Sequence, residues 1–270
     1  MIMKSGFRYF CFVFVSLLAT QVFAADMSGW SDKTVCRLVK SDGDADYLDE
    51  ATNRGLDCKA KVKEKNNLSW SISCGVDNGS MYKKNGVWTF KPSKNKCPGG
   101  VFEQRAELNT KKMSINKKVK YSFFSSFNYT GISAYEFSVF SVHDGRHGCA
   151  PPLQIFVGYS GDIYLTGDYK IGTGENCRRD ILKTVYYGNQ RVNKNGDEQT
   201  LRVDLDFNGK GAFGIEVFLN NILAAKSSYA FEEGKGYMKS PSFYFKHGVY
   251  SRSIFDYKMQ SKFSMGEVSG

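Results

Sequence analysis

The sequence predicts an all-β fold, a two-sheet antiparallel sandwich of the jelly-roll kind, with a small helical segment before it. Three observations point there. From about residue 61, short runs rich in Phe, Tyr, Val and Ile are separated by turns carrying Gly, Asn, Asp and Lys. Few stretches show the 3.6-residue apolar period of a helix. No repeat of roughly 20–50 residues is visible, which argues against a propeller or solenoid.

The elements follow in chain order. Lys4 and Arg8 precede an apolar run that reaches Ala19, and Val22-Phe23-Ala24 places small residues at a cleavage site. That is the layout of a secretory leader over 1–24. The apolar run is too short to span a membrane, which takes about 20 residues. The mature chain is therefore expected to be exported, secreted or periplasmic, and unattached to a membrane. Residues 25–60 form a distinct Cys-bearing segment. Ser31 is a good N-cap for one short helix, and Asp44–Arg54 reads as a second that Gly55 ends. The acids Asp42, Asp44 and Asp46 are spaced like calcium ligands. Tyr47 and Asn53, however, stand where an EF-hand loop needs Gly and Glu.

The β domain is expected over 61–270, with strands in LSWSISC, GVWTFK, FEQRAEL, VKYSFFSSF, YEFSVFSVH, LQIFVGY, DIYLTG, LRVDLDF, FGIEVFLN and SFYFKHGVY. Six cysteines remain once Cys11 leaves with the leader. Six thiols in an oxidising compartment admit many pairings. Neighbour pairing gives Cys36–Cys58, Cys74–Cys97 and Cys149–Cys177, each closing a short loop and contributing about 3 kcal/mol. No Cys-x-x-Cys spacing occurs, so no zinc site is expected; nothing indicates a structural calcium, and no cofactor is expected.

The chain carries a formal charge of +10, or +8 without Lys4 and Arg8. An exported basic protein suits an anionic partner. The basic residues are scattered and never form a run, which points away from nucleic acid. The expected partner is an acidic polysaccharide met by a monomer.

Three stretches carry polar residues at alternate positions and so on one strand face. Arg105, Glu107 and Asn109 share a face of the first. Val139, Ser141 and His143 share a face of the second. Tyr244, Lys246, Gly248, Tyr250 and Arg252 share a face of the third, opposite Phe243, Phe245, His247 and Val249. Such a row would form a cationic and phenolic binding surface.

RAEL at 105–108, SVH at 141–143 and YFKHGVY at 244–250 together resemble strands of the jelly-roll, concanavalin A-like polysaccharide lyases. The alginate lyases of family 7 and their glucuronan- and heparin-lyase-like relatives carry Arg-x-Glu-Leu, Gln-Ile-His and Tyr-Phe-Lys-Ala-Gly-x-Tyr. The resemblance implies β-elimination of a uronate polymer. Arg105 would offset the sugar carboxylate, which must be neutralised before the C5 proton can leave. His143 would be the base and Tyr250 the acid, with Tyr250 able to serve as base as well. Lys246, Glu107, Asn109, Ser141, Tyr244 and Arg252 would bind substrate, and Gly248 would leave room for a sugar. Ser141 replaces the family's glutamine and Asn109 its second arginine, so some carboxylate contacts must differ. A noncatalytic acidic-carbohydrate-binding protein is the alternative. A glycoside hydrolase ranks lower, because Glu107 is the single acid in the three stretches and Asp204 and Asp206 lack a partner set.

Overall fold

The computed structural model describes residues 68–95, 102–131, 135–145, 149–170, 177–178, 181–182, 186–230 and 240–268, with 29, 31–32, 34–36, 50 and 54. The chain divides into two compact units, Met1–Lys61 and Val62–Gly270. In the first, Ser31 caps a helical turn, its Oγ accepting from the Thr34 N–H at 3.2 Å. The leader over 1–24 and most of the hairpin expected over 25–60, Cys58 included, lie outside the described residues.

The second unit is built from strands. β1 (Trp70–Ile72), β2 (Met81–Lys84), β3 (Val87–Phe90), β4 (Gln104–Thr110), β5 (Met113–Ser114) and β6 (Lys118–Gly131) come first. β7 (Phe137–His143), β8 (Leu153–Val157), β9 (Ile163–Thr166), β10 (Tyr169–Lys170), β11 (Cys177–Arg178) and β12 (Tyr186–Tyr187) follow. β13 (Gln199–Asn208), β14 (Phe213–Leu219), β15 (Ile222–Tyr229), β16 (Ser242–Ser251) and β17 (Tyr257–Val268) complete it. A seven-stranded sheet runs β1-β4-β16-β7-β8-β9, with β5 also paired to β16, and an eight-stranded sheet runs β12-β15-β14-β13-β6-β17-β3-β2. All the pairings are antiparallel, and the architecture is the expected two-sheet sandwich.

Period-two alternation generates the core. β6 turns Val119, Tyr121, Phe123, Phe127 and Tyr129 inward, and β13 turns in Leu201, Val203, Leu205 and Phe207. From the facing sheet come Ala106, Leu108, Phe243, Phe245 and Val249. The aromatics meet edge-on and offset, as Tyr121 does against Phe245 with ring centroids 5.2 Å apart.

Polar links also cross this core, among them one through His247. His247 on β16 holds the Val139 carbonyl through Nδ1 and Ser261 Oγ on β17 through Nε2, each at 2.9 Å. Ser261 Oγ in turn lies 2.7 Å from Ser125 Oγ on β6. Burial pushes the imidazole down to about 4. The sequence places His247 on the core side, and the structure agrees.

Cys149–Cys177 is a disulfide, as expected from neighbour pairing. Cys36 and Cys74 are also disulfide-bonded; Cys58 and Cys97 lie outside the described residues.

Candidate functional site: a sheltered cationic face

β4, β16 and β7 are adjacent, so the three motif strands form one continuous surface. The registers pair Tyr250 with Arg105, Gly248 with Glu107 and Lys246 with Asn109 on one side. On the other, Tyr250 pairs with Ser138, Lys246 with Ser141 and Tyr244 with His143. Arg105, Glu107, Asn109, Ser141, His143, Tyr244, Lys246 and Tyr250 thus share the face turned away from the core. That face is sheltered: Arg105, Glu107 and Lys246 are 8 %, 4 % and 6 % exposed.

At its centre two cations reach for one oxygen. Glu107 Oε2 lies 3.5 Å from Arg105 Nε and 3.4 Å from Lys246 Nζ. The Arg105 contact is close enough for an ion pair but outside hydrogen-bond geometry, so its buried Nε has no acceptor. The cluster therefore carries one surplus positive charge in a place where water is scarce, and an uncompensated buried charge is costly. An incoming anion removes that cost.

Tyr250 stands at one end. The Arg105 guanidinium lies over its ring, 4.4 Å from the centroid. Phe102 stacks on it at 4.5 Å, and the Phe102 N–H donates to the Tyr250 hydroxyl at 3.2 Å. These contacts fix the phenol beside the guanidinium. Tyr244 marks the other end, stacked on His143 at 5.1 Å. Burial, then the charges of Glu107 and Asp144, push the Tyr244 phenol up to about 12, against a smaller opposing pull from Arg105.

Four expectations need correction. First, His143 pairs with Tyr244, which lies six residues from Tyr250 on β16. Six residues of strand span about 20 Å. The structure thus sets the His143 backbone beside Tyr244 and well along the same face from Tyr250. Moreover, His143 Nδ1 accepts from the Gly145 N–H at 2.8 Å, which puts the neutral ring's proton on Nε2. Second, Val139 does not share the face of Ser141. The registers slip on both sides of β7, between Ser138 and Phe140 and between His247 and Tyr250. This irregularity turns Val139 into the core, leaving Ser138 opposite Tyr250. Third, Gly248 is not there to make room for a sugar. Its φ is +147°, and a Cβ would sit 2.1 Å from the Ala106 carbonyl oxygen on β4. Fourth, Arg252 lies beyond the end of β16, exposed, with its guanidinium 5.5 Å from the Phe102 ring centroid.

The registers also add residues that the motifs omit. Gln154 on β8 pairs with Ser141 and is 6 % exposed. Phe156 pairs with Ser138 and stacks on Tyr164 at 5.0 Å, and Tyr164 donates to Glu136 at 2.8 Å. LQIFV reads as one buried apolar strand, and nothing in its sequence says that it borders SVH. A separate hollow of about 600 Å³ on the second sheet is lined by Phe124, Asn128, Gln260 and Lys262 among others. It is remote in the fold from the charged cluster. Among the described residues no group of His, Cys, Asp and Glu could hold a metal ion, and no helix is long and apolar enough to cross a membrane.

The fold and site together define a β-sandwich with a sheltered, cation-rich face. No protein-family model matches the chain, and no curated protein does. Solved structures similar to it include an alginate lyase of polysaccharide lyase family 7, AlgAT5, at 14 % identity, covering 75 % of this chain and 95 % of that one with a TM-score of 0.48. The family 7 alginate lyase A1-II′ is 14 % identical over 73 % of this chain and 86 % of its own, with a TM-score of 0.49. An endo-β-1,4-glucuronan lyase from the fungus Trichoderma reesei is 11 % identical over 75 % of this chain and 88 % of its own, with a TM-score of 0.44.

Proposed function

We propose that the chain is an exported polysaccharide lyase that cleaves a uronate-containing polymer by β-elimination on the β4-β16-β7 face. The observation that carries this reading is the buried Arg105–Glu107–Lys246 cluster, with its surplus positive charge and an Arg105 Nε lacking an acceptor. A sugar carboxylate supplies the missing counter-charge. With that carboxylate neutralised, the C5 proton becomes removable. Tyr250, held against Arg105, is the proton carrier. Once the phenol has given its own proton to solvent, its oxygen takes the C5 proton, the C5–H electron pair forms the C4–C5 double bond, and the C4–O pair leaves with O4. The phenol then returns its proton to O4. One residue suffices where the C5 hydrogen and O4 lie on the same side of the ring.

The test is a panel of alginates, glucuronans and glycosaminoglycans monitored for the ultraviolet absorbance of the new double bond. Cleavage is expected with at least one polymer, and Tyr250→Phe is expected to lower kcat by at least about 100-fold with binding retained. A second reading, binding without cleavage, is favoured by the separation of His143 from Tyr250. Tight binding with no new absorbance, indifferent to Tyr250→Phe, selects that reading.

A further inference from the structure

On the outer face of the eight-stranded sheet, charged side chains pair off. Lys120 meets Asp206 at 3.1 Å, Lys226 meets Glu216 at 2.7 Å and Arg202 meets Asp204 at 3.1 Å. Where β6 and β17 run side by side the pattern changes. The rows there join Phe124 to Ser264, Ser126 to Lys262 and Asn128 to Gln260, so neutral groups surround one lysine. These residues line the hollow of about 600 Å³ described above, together with Glu198 from the segment before β13. That volume falls within the range of about 300–1,000 Å³ usual for small-molecule sites. Phe124 is 37 % exposed although it lies in the middle of a strand. Its neighbour on β13 is Arg202, whose guanidinium turns to the opposite side, 3.8 Å from the Phe218 ring centroid.

We infer that this hollow is a second carbohydrate site, which binds neutral sugars of an extended β-1,4-linked glycan and takes no part in cleavage. The apolar side of a pyranose packs on an aromatic ring, here Phe124. Sugar hydroxyls both give and accept hydrogen bonds, and so do the carboxamides of Asn128 and Gln260. Lys262 and Glu198 cancel in charge, so the hollow has no surplus to attract an anion, unlike the Arg105–Glu107–Lys246 cluster. Its three rows step about 7 Å apart along the strands, a ladder of about 14 Å that holds more than one ring of a chain. The inference goes beyond the proposed function and does not depend on it. The hollow and the cluster lie on the outward faces of different sheets, so a short oligosaccharide in one leaves the other open. An acidic polymer embedded in a neutral matrix is then worked on at one face while the protein holds the matrix with the other.

The experiment uses the full mature protein, with hexasaccharides of β-1,4-linked glucose, mannose and xylose as neutral probes and an alginate hexasaccharide as the acidic one. Kd is measured by calorimetry for the parent, Phe124→Ala, Phe124→Trp, Gln260→Ala and Tyr250→Phe, each first shown to melt with the parent. The parent is expected to bind at least one neutral probe. Phe124→Ala should raise that Kd by roughly tenfold and Gln260→Ala by about three- to tenfold, while Phe124→Trp keeps the stacking surface and the affinity. Tyr250→Phe should leave it unchanged, and in that variant, which spares the acidic probe from cleavage, saturating alginate hexasaccharide should not displace the neutral one. No binding of any neutral probe overturns the inference. So does neutral binding that Phe124→Ala and Gln260→Ala leave intact, or its displacement by the acidic probe. A dimer in sedimentation that Phe124→Ala dissolves overturns it too, because a second copy then occupies the face. A polymer panel that yields no new absorbance counts against the proposed function alone.

Discussion

At the scale of single residues, Glu107 is the anion that keeps Arg105 and Lys246 tolerable in a sheltered place. Glu107→Gln leaves two cations with no counter-charge, and breaking a buried pair costs about 3–5 kcal/mol. The variant is expected to unfold at lower denaturant concentration. An acidic oligosaccharide should then raise its melting temperature by more than it raises the parent's. Gly248 poses a different constraint. At φ +147° with β4 backbone 2.1 Å from a would-be Cβ, alanine combines strain with overpacking, for about 2 kcal/mol or more. Chemical denaturation of Gly248→Ala measures it, with a midpoint unchanged from the parent as the contrary result. The alternation of RAEL and YFKHGVY correctly assigned Arg105, Glu107, Lys246 and Tyr250 to one face. It misjudged Gly248 because composition does not reveal which side of a backbone is crowded.

At the scale of elements, the link from β16 through His247 to Ser261 on β17 and Ser125 on β6 ties the two sheets together. The imidazole is held near 4, below its ordinary 6.5. Its contribution is therefore fully present above about pH 6.5. As pH falls from there toward 4, the unfolded chain takes up a proton that the folded one refuses, and about 3 kcal/mol is lost. Denaturation midpoints across that window should fall with pH, and His247→Phe should flatten that dependence. The same link explains a strand that the sequence reading did not name. β17 runs antiparallel to β6 over twelve paired residues. Its inward positions Tyr257, Met259 and Met265 are apolar, but Ser261, inward and fully buried, breaks the alternation. A serine looks like a turn residue until its histidine partner, contributed by another strand, is known.

For the whole molecule, alternation foretold the sandwich because burial of one strand face is local information. It could not foretell which strands become neighbours or with what offset, since pairing joins residues far apart in sequence. That is why Gln154 escaped notice and why His143, read as a partner of Tyr250, stands beside Tyr244. A similar long-range constraint is the Cys149–Cys177 bond, with a separation of 28 residues. Closing a loop of that size stabilises by about 3.5 kcal/mol through the unfolded chain. Replacing both cysteines with serine should lower the melting temperature, and an unchanged value would show that the bond constrains little.

On the proposed reading, the six-residue interval between Tyr244 and Tyr250 would serve as a ruler laid along β16. A ligand stretched along it touches both phenols only when it is several monosaccharides long. Fragments trimmed below that length lose one handhold and drift off. On the proposed reading, digestion therefore stalls at short oligomers instead of running down to single sugars, leaving soluble pieces of nearly uniform size.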